Sequence, residues 1–134
     1  MIEQNHFSHL VKLFLERNFP EFISTLKYKE DGSFDSDLRN PTNLFSIWIA
    51  TYDSEITVGI EDPNGKTDIH SHISCYDEKN IEDALNELSD ILNKIQGDKL
   101  VLYNDKILGY NWTEKIKMKK SENTKVFYWS GKSM

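Results

Sequence analysis

Apolar residues near the start of the chain recur as Phe7, Leu10, Val11, Phe14 and Leu15, spaced by three and one in alternation. That is the stripe of an amphipathic helix. Pro20 should end it near residues 18–19, because the residue before a proline leaves the helical region. Residues 21–28, with Phe22, Ile23 and Leu26, fit either another helical turn or a short strand. The stretch 31–43 holds Gly32, Ser33, Asp35, Ser36, Asp37, Asn40 and Pro41, a composition that predicts a surface loop.

A two-residue period follows. Residues 44–52, 55–62 and 66–75 each read as a strand, joined by Asp53-Ser54 and by Pro63-Asn64-Gly65, both good hairpin chemistry. Pairing Tyr52 with Glu55 places Ile47 opposite Ile60, Ile49 opposite Val58 and Trp48 opposite Gly59. Pairing Asp62 with Gly65 places Val58 opposite Ile69, Thr57 opposite His70 and Glu55 opposite His72. A slip of one residue would scatter the isoleucines over both faces, so burial favours this register. The expected product is an antiparallel meander with one apolar face and one mixed face, the latter carrying Trp48, Thr57, Gly59, Asp68, His70 and His72.

Ile81, Ala84, Leu85, Leu88, Ile91, Leu92 and Ile95 form a long helical stripe over about 78–95, with Gly97 placed to stop it. This helix is expected to cover the apolar face at Ile47, Ile49, Val58, Ile60 and Ile69. Beyond it, residues 99–103 read as a strand and Asn104-Asp105 as a turn into 106–110. Ile116 and Met118 are expected to pair with Phe127 and Trp129 across a loop at 121–124. The expected fold class is α+β: an antiparallel meander, an N-terminal helix, a long helix on one face and further C-terminal strands. The 134 residues suit one domain spanning 1–134.

Charge alters the picture more than composition does. Residues 1–105 carry 20 acids and 9 bases, whereas residues 106–134 carry 2 acids and 7 bases. A body of net −11 repels phosphate and attracts cationic partners, which argues against nucleic acid as a ligand. The lone Cys75 permits no internal disulfide and no cysteine-built zinc site, and it suits a reducing compartment. Glu3, Lys12, Glu16 and Arg17 interrupt any signal-like apolar run, and no stretch is long enough to span a bilayer. A cytoplasmic protein without membrane attachment is the expectation.

Candidate chemistry is sparse. His70 and His72, two apart on a strand, project to one face, so both could meet one metal ion with Glu55, Glu61 or Asp68 as a third ligand. The simpler reading is a polar sheet face in which His72 pairs with Glu55. Parity separates Cys75 from both histidines, which makes it a buried small hydrophobe rather than a nucleophile. No nucleophile elbow, phosphate-binding loop or dinucleotide fingerprint occurs. His6 and His9 flank the first stripe and are expected to be solvated. In 115–120, Ile116 and Met118 alternate with lysines, which reads as an edge strand protected by charge rather than as a nucleic-acid patch.

Several short pieces occur together over residues 45–131: Glu55-Ile56-Thr57-Val58-Gly59, the His70-Ser71-His72 strand, the helix 81–95, Leu100-Val101-Leu102 and Trp129-Ser130-Gly131-Lys132. In that order they resemble a group of small bacterial proteins, some of them immunity proteins encoded beside polymorphic toxins. The Lys-rich 115–120 segment and the separate N-terminal helix depart from that pattern. The resemblance implies a non-enzymatic protein with no catalytic residues and no cofactor, which neutralises a cognate toxin domain by direct contact. The acidic body makes a cationic domain the expected partner, and a monomer or homodimer is the expected state. The residues expected to meet that partner are Trp48, Asp53, Glu55, Glu61, Asp68, His70 and His72. The alternative is a small metal-binding protein or metal-dependent enzyme using His70 and His72.

Overall fold

The computed structural model describes residues 2–65, 69–107, 109–117 and 124–131. Helix α1 (Gln4–Asn18) carries the first apolar stripe and buries Phe7, Val11 and Leu15. The Glu3 carboxylate caps it by accepting from the Asn5 and His6 amides, a favourable use of negative charge at a helix start. Pro20 opens a 3-10 turn over Pro20–Thr25, and β1 (Lys27–Tyr28) follows. The ambiguous stretch 21–28 thus divides between the two readings.

The main sheet has the order β1-β2-β3-β4-β5, with every pair antiparallel. Its strands are β1, β2 (Phe34–Arg39), β3 (Ser46–Tyr52), β4 (Glu55–Glu61) and β5 (Ile69–Ser74). The existence of β2 corrects the expected 31–43 loop. Phe34, Ser36 and Leu38 point inward, but the middle position is a serine, which erased the apolar alternation. Ser36 is buried there because its hydroxyl donates to the Phe22 carbonyl at 2.6 Å.

The β3–β4 register is the expected one, with Tyr52 opposite Glu55, Trp48 opposite Gly59 and Ile47 opposite Ile60. The β4–β5 register differs from expectation by two residues. Thr57 faces His72, Gly59 faces His70 and Glu55 faces Ser74. A two-residue shift leaves each side chain on its expected face. It also sets Ile60 against Ile69 and Ile56 against Ile73, whereas the expected register opposes Ile56 to Ser71 and Ile60 to Thr67. The additional apolar pairing explains the choice.

Helix α2 (Ile81–Gln96), entered through a 3-10 turn at Glu78–Asn80, buries Ala84, Leu88, Leu92 and Ile95. It touches β4 and β5, while α1 touches β3, so both helices cover one face of the sheet. Gly97 ends α2, but the left-handed residue is the next one, Asp98, with φ 61°. The Asp98 carboxylate accepts from the Ser130 amide and hydroxyl, so the helix terminus also anchors the C-terminal segment.

A second sheet has the order β7-β6-β8, formed by β6 (Leu100–Asp105), β7 (Gly109–Glu114) and β8 (Thr124–Phe127). Asn104 and Asp105 are part of β6 and not a turn; Asp105 faces Gly109. Phe127 pairs with Leu102 and not with the described Lys115–Lys117 segment. Lys115–Lys117 is a 3-10 turn whose Ile116 is 90% exposed, so the expected lysine-protected strand is absent there; Met118 lies outside the described residues. Leu102, Phe127 and Trp129 join the same apolar core as the first sheet and both helices.

Ile60 and Leu88 are fully buried in that core. Replacing either by Ala should cost about 2–5 kcal/mol, as truncations in packed interiors do. Denaturant unfolding of each variant measures the loss; a change below about 0.5 kcal/mol would contradict this packing.

Candidate functional site

With both helices on one side, the opposite face of the five-stranded sheet carries the exposed residues, although Ser46 and Gly59 on it are buried. Four strands place Asp37, Trp48, Gly59 and His70 in one cross-strand row, and Asp35, Ala50, Thr57 and His72 in the next. Arg39, Ser46 and Glu61 make a third row, and Tyr52, Glu55 and Ser74 a fourth. Asp35, Asp37, Arg39, Glu61, Tyr52 and His72 are exposed, and Trp48 is half-buried. A groove of about 740 Å³ runs over this face, bordered by Trp48, Asp35, Asp37, Arg39 and Glu61 and completed by Lys27 and the Ser24-Thr25 turn.

Gly59 makes the centre of the face possible. A Cβ on it would lie 2.5 Å from Trp48 Cε2 and Cζ2 and 2.6 Å from the Ile69 carbonyl oxygen. The indole therefore occupies the space that a side chain would take, directly over the β4 backbone. Gly59→Ala must displace both the ring and the β5 backbone and should destabilise by about 1–3 kcal/mol. Calorimetry of that variant, with Trp48→Leu as the partner of a double-mutant cycle, tests the contact; independent effects would deny it.

The remaining expected residues distribute unevenly. His70 lies beside Trp48, with ring centroids 6.1 Å apart, and beside His72 at 4.7 Å. His72 Nδ1 sits 3.2 Å from Glu55 Oε1 and 3.1 Å from Thr57 Oγ1, so the expected His72–Glu55 pair is present, formed diagonally. Glu61 is at the far end of β4, about 20 Å from Glu55 at the usual rise per strand residue. Asp53 is outside the rows, in the β3–β4 turn, where it and Ser54 adopt φ of 54° and 58°. The Asp53 amide donates to Gln4 Oε1 and the Ser54 hydroxyl to the Ile2 carbonyl, so the start of the chain holds this turn. Asp68 lies outside the described residues. Asp35, Asp37 and Arg39 belong to the face but escaped sequence reasoning, because β2 read as loop; the one available signal was the alternation of Phe34 and Leu38 with charged neighbours.

Among the described residues, no three His, Cys, Asp or Glu side chains gather in an arrangement able to hold a metal ion. His6 is exposed, as expected, and meets Glu78 at 2.6 Å, which ties α1 to the entrance of α2. Cys75 is buried. Desolvation, aided by nearby Asp77, pushes its thiol pKa up, which disfavours the reactive thiolate. Burial and Asp62 likewise raise the Tyr110 phenol. Both shifts favour the protonated, folded form. Their stabilisation is complete below the ordinary thiol range, about 8.5 for Cys, and is lost as pH rises through the folded values. Labelling of Cys75 by a soluble thiol reagent at pH 8 should be slow in the native protein and complete on unfolding. Native labelling as fast as that of a free thiol would place this cysteine at the surface.

The fold and this face define an α+β domain with a helix-covered sheet and an open, charged, aromatic-centred opposite face. No helix among the described residues is long and apolar enough to cross a membrane. No protein-family model, curated protein or solved structure matches the chain.

Proposed function

We propose that this protein is a non-enzymatic binding protein that neutralises a basic toxin domain by docking it on the open face of the five-stranded sheet. One observation carries the reading. Trp48 stands half-buried on Gly59 at the centre of a solvent-facing sheet, with Asp35, Asp37, Glu55 and Glu61 on the surrounding rows. A rigid aromatic anchor ringed by polar groups is the composition in which binding energy concentrates. Carboxylates supply steering towards a cationic enzyme and pair with the Arg and Lys that would otherwise grip its substrate.

The acidic body carrying 20 acids against 9 bases adds long-range attraction of the same sign. The resemblance to small immunity proteins agrees with this reading, and a cytoplasmic site of action suits the unpaired Cys75. Metal chemistry at His70 and His72 has less support, since His72 already engages Glu55 and Thr57.

Co-expression with a toxin domain encoded beside this chain should restore growth, and purified complexes should form faster at low than at high salt. Replacing Asp37, Glu55 and Glu61 together by Asn or Gln should slow association several-fold and leave the melting temperature within a few degrees of wild type. Association unchanged by the triple variant would move the interface elsewhere, and growth arrest despite co-expression would overturn the immunity reading.

A further inference from the structure

The groove beside Trp48 contains an arrangement more specific than an acidic surface. Asp37 is directly opposite Trp48 across the β2–β3 pair, and Gly59 is directly opposite on the other side. The indole therefore rests on bare backbone on its β4 flank, Asp37 is its cross-strand neighbour on the β2 flank, and Trp48 and Asp37 line one groove. Directly opposed residues of an antiparallel pair keep their Cβ atoms about 5 Å apart. A planar cation stacked on the ring can thus reach the carboxylate beside it.

The neighbouring charges are mixed: Lys27, Arg39, Asp35 and Glu61 line the same groove. Lys29 Nζ lies 3.2 Å from Asp35 Oδ2, so Asp35 is engaged. Among the described residues, Asp37 has no ion-pair partner, and the cations lying over aromatic rings are Lys115 over Tyr128 and Lys125 over Phe127, none over Trp48. Arg39, one row further along the groove, is a like charge that opposes an incoming cation.

Resting on the proposed use of this face, we infer that the groove takes an arginine side chain of the partner, its guanidinium stacked on Trp48 and forked to Asp37. Guanidinium suits the place better than ammonium. It is planar, weakly hydrated and able to stack on an indole while donating two parallel hydrogen bonds to one carboxylate. An ammonium is a hydrated point charge that gains the Coulomb attraction but not the stacking.

The test uses the full chain and two short probes, hexa-arginine and hexa-lysine amides, followed by the Trp48 indole N–H resonance assigned with Trp48→Leu. Hexa-arginine should shift that resonance saturably and bind at least three-fold more tightly than hexa-lysine. Asp37→Asn should weaken hexa-arginine at least three-fold at unchanged melting temperature. Arg39→Gln should tighten it by removing the opposing charge. Equal affinity for the two peptides, an unmoved Trp48 resonance, or indifference to Asp37→Asn would each overturn the inference. The two proposals fail separately. Toxin neutralised as well by Asp37→Asn as by wild type would sink the arginine seat and leave the immunity reading standing. Peptide binding at Trp48 with no growth rescue would do the reverse.

Discussion

A strand sends successive side chains to opposite faces, and in β2–β5 that constraint decides nearly everything else. Ile47, Ile60 and Ile69 align across three strands, Ile49 and Val58 across two, and Ile56 meets Ile73. These side chains are buried beneath α1 and α2. Once they are committed to the covered side, Trp48, Gly59, His70 and His72 have no choice but the other. The register can move by two residues between β4 and β5 without disturbing this assignment, but not by one. The open face is therefore a consequence of the core, and its residue content was set by the same alternation that buries the isoleucines.

Within that face the most constrained contact is Trp48 over Gly59. A large ring placed mid-strand on the solvent side of a sheet would ordinarily retain many rotamers. Here the absence of a Cβ lets the indole settle against backbone, which limits its freedom before any partner arrives. A side chain ordered in advance loses less entropy on binding. The Asp53-Ser54 turn is similarly held by Gln4 and Ile2, so the end of the sheet bearing Glu55 is also fixed to the N-terminal helix.

The legible part of the fold was the part written in strong periodicity. The isoleucine-rich strands, α1 and α2 all followed from spacing alone, and with them the separation of Cys75 from the histidines. What escaped was carried by polar residues performing buried work. Ser36 occupies an inward position because its hydroxyl reaches the Phe22 carbonyl, a long-range bond that no local pattern announces. Without it, Phe34–Arg39 looks like a loop, and Asp35, Asp37 and Arg39 were lost from the site with it. At the other end, Lys115–Lys117 alternates like a strand but curls into a 3-10 turn.

The lost residues change what the face can recognise. Read without β2, the surface is a tryptophan among carboxylates and histidines, and only net charge distinguishes its partners. With β2 present, Lys27, Lys29 and Arg39 lie near Asp35, Asp37 and Glu61, so the local charge is mixed. Charges further away than about 8 Å are largely screened at physiological salt. In the proposed complex, the acidic body would act on encounter and the pattern of individual groups on the docked state. In that proposed complex, a partner that is merely basic would be attracted by the body and then meet Arg39. One that places its cation on the Trp48–Asp37 side of the groove meets the opposite charge. Discrimination of this kind needs the repulsive group as much as the attractive one, and β2 supplies both from alternate positions, Asp37 and Arg39, on the same side of the same strand.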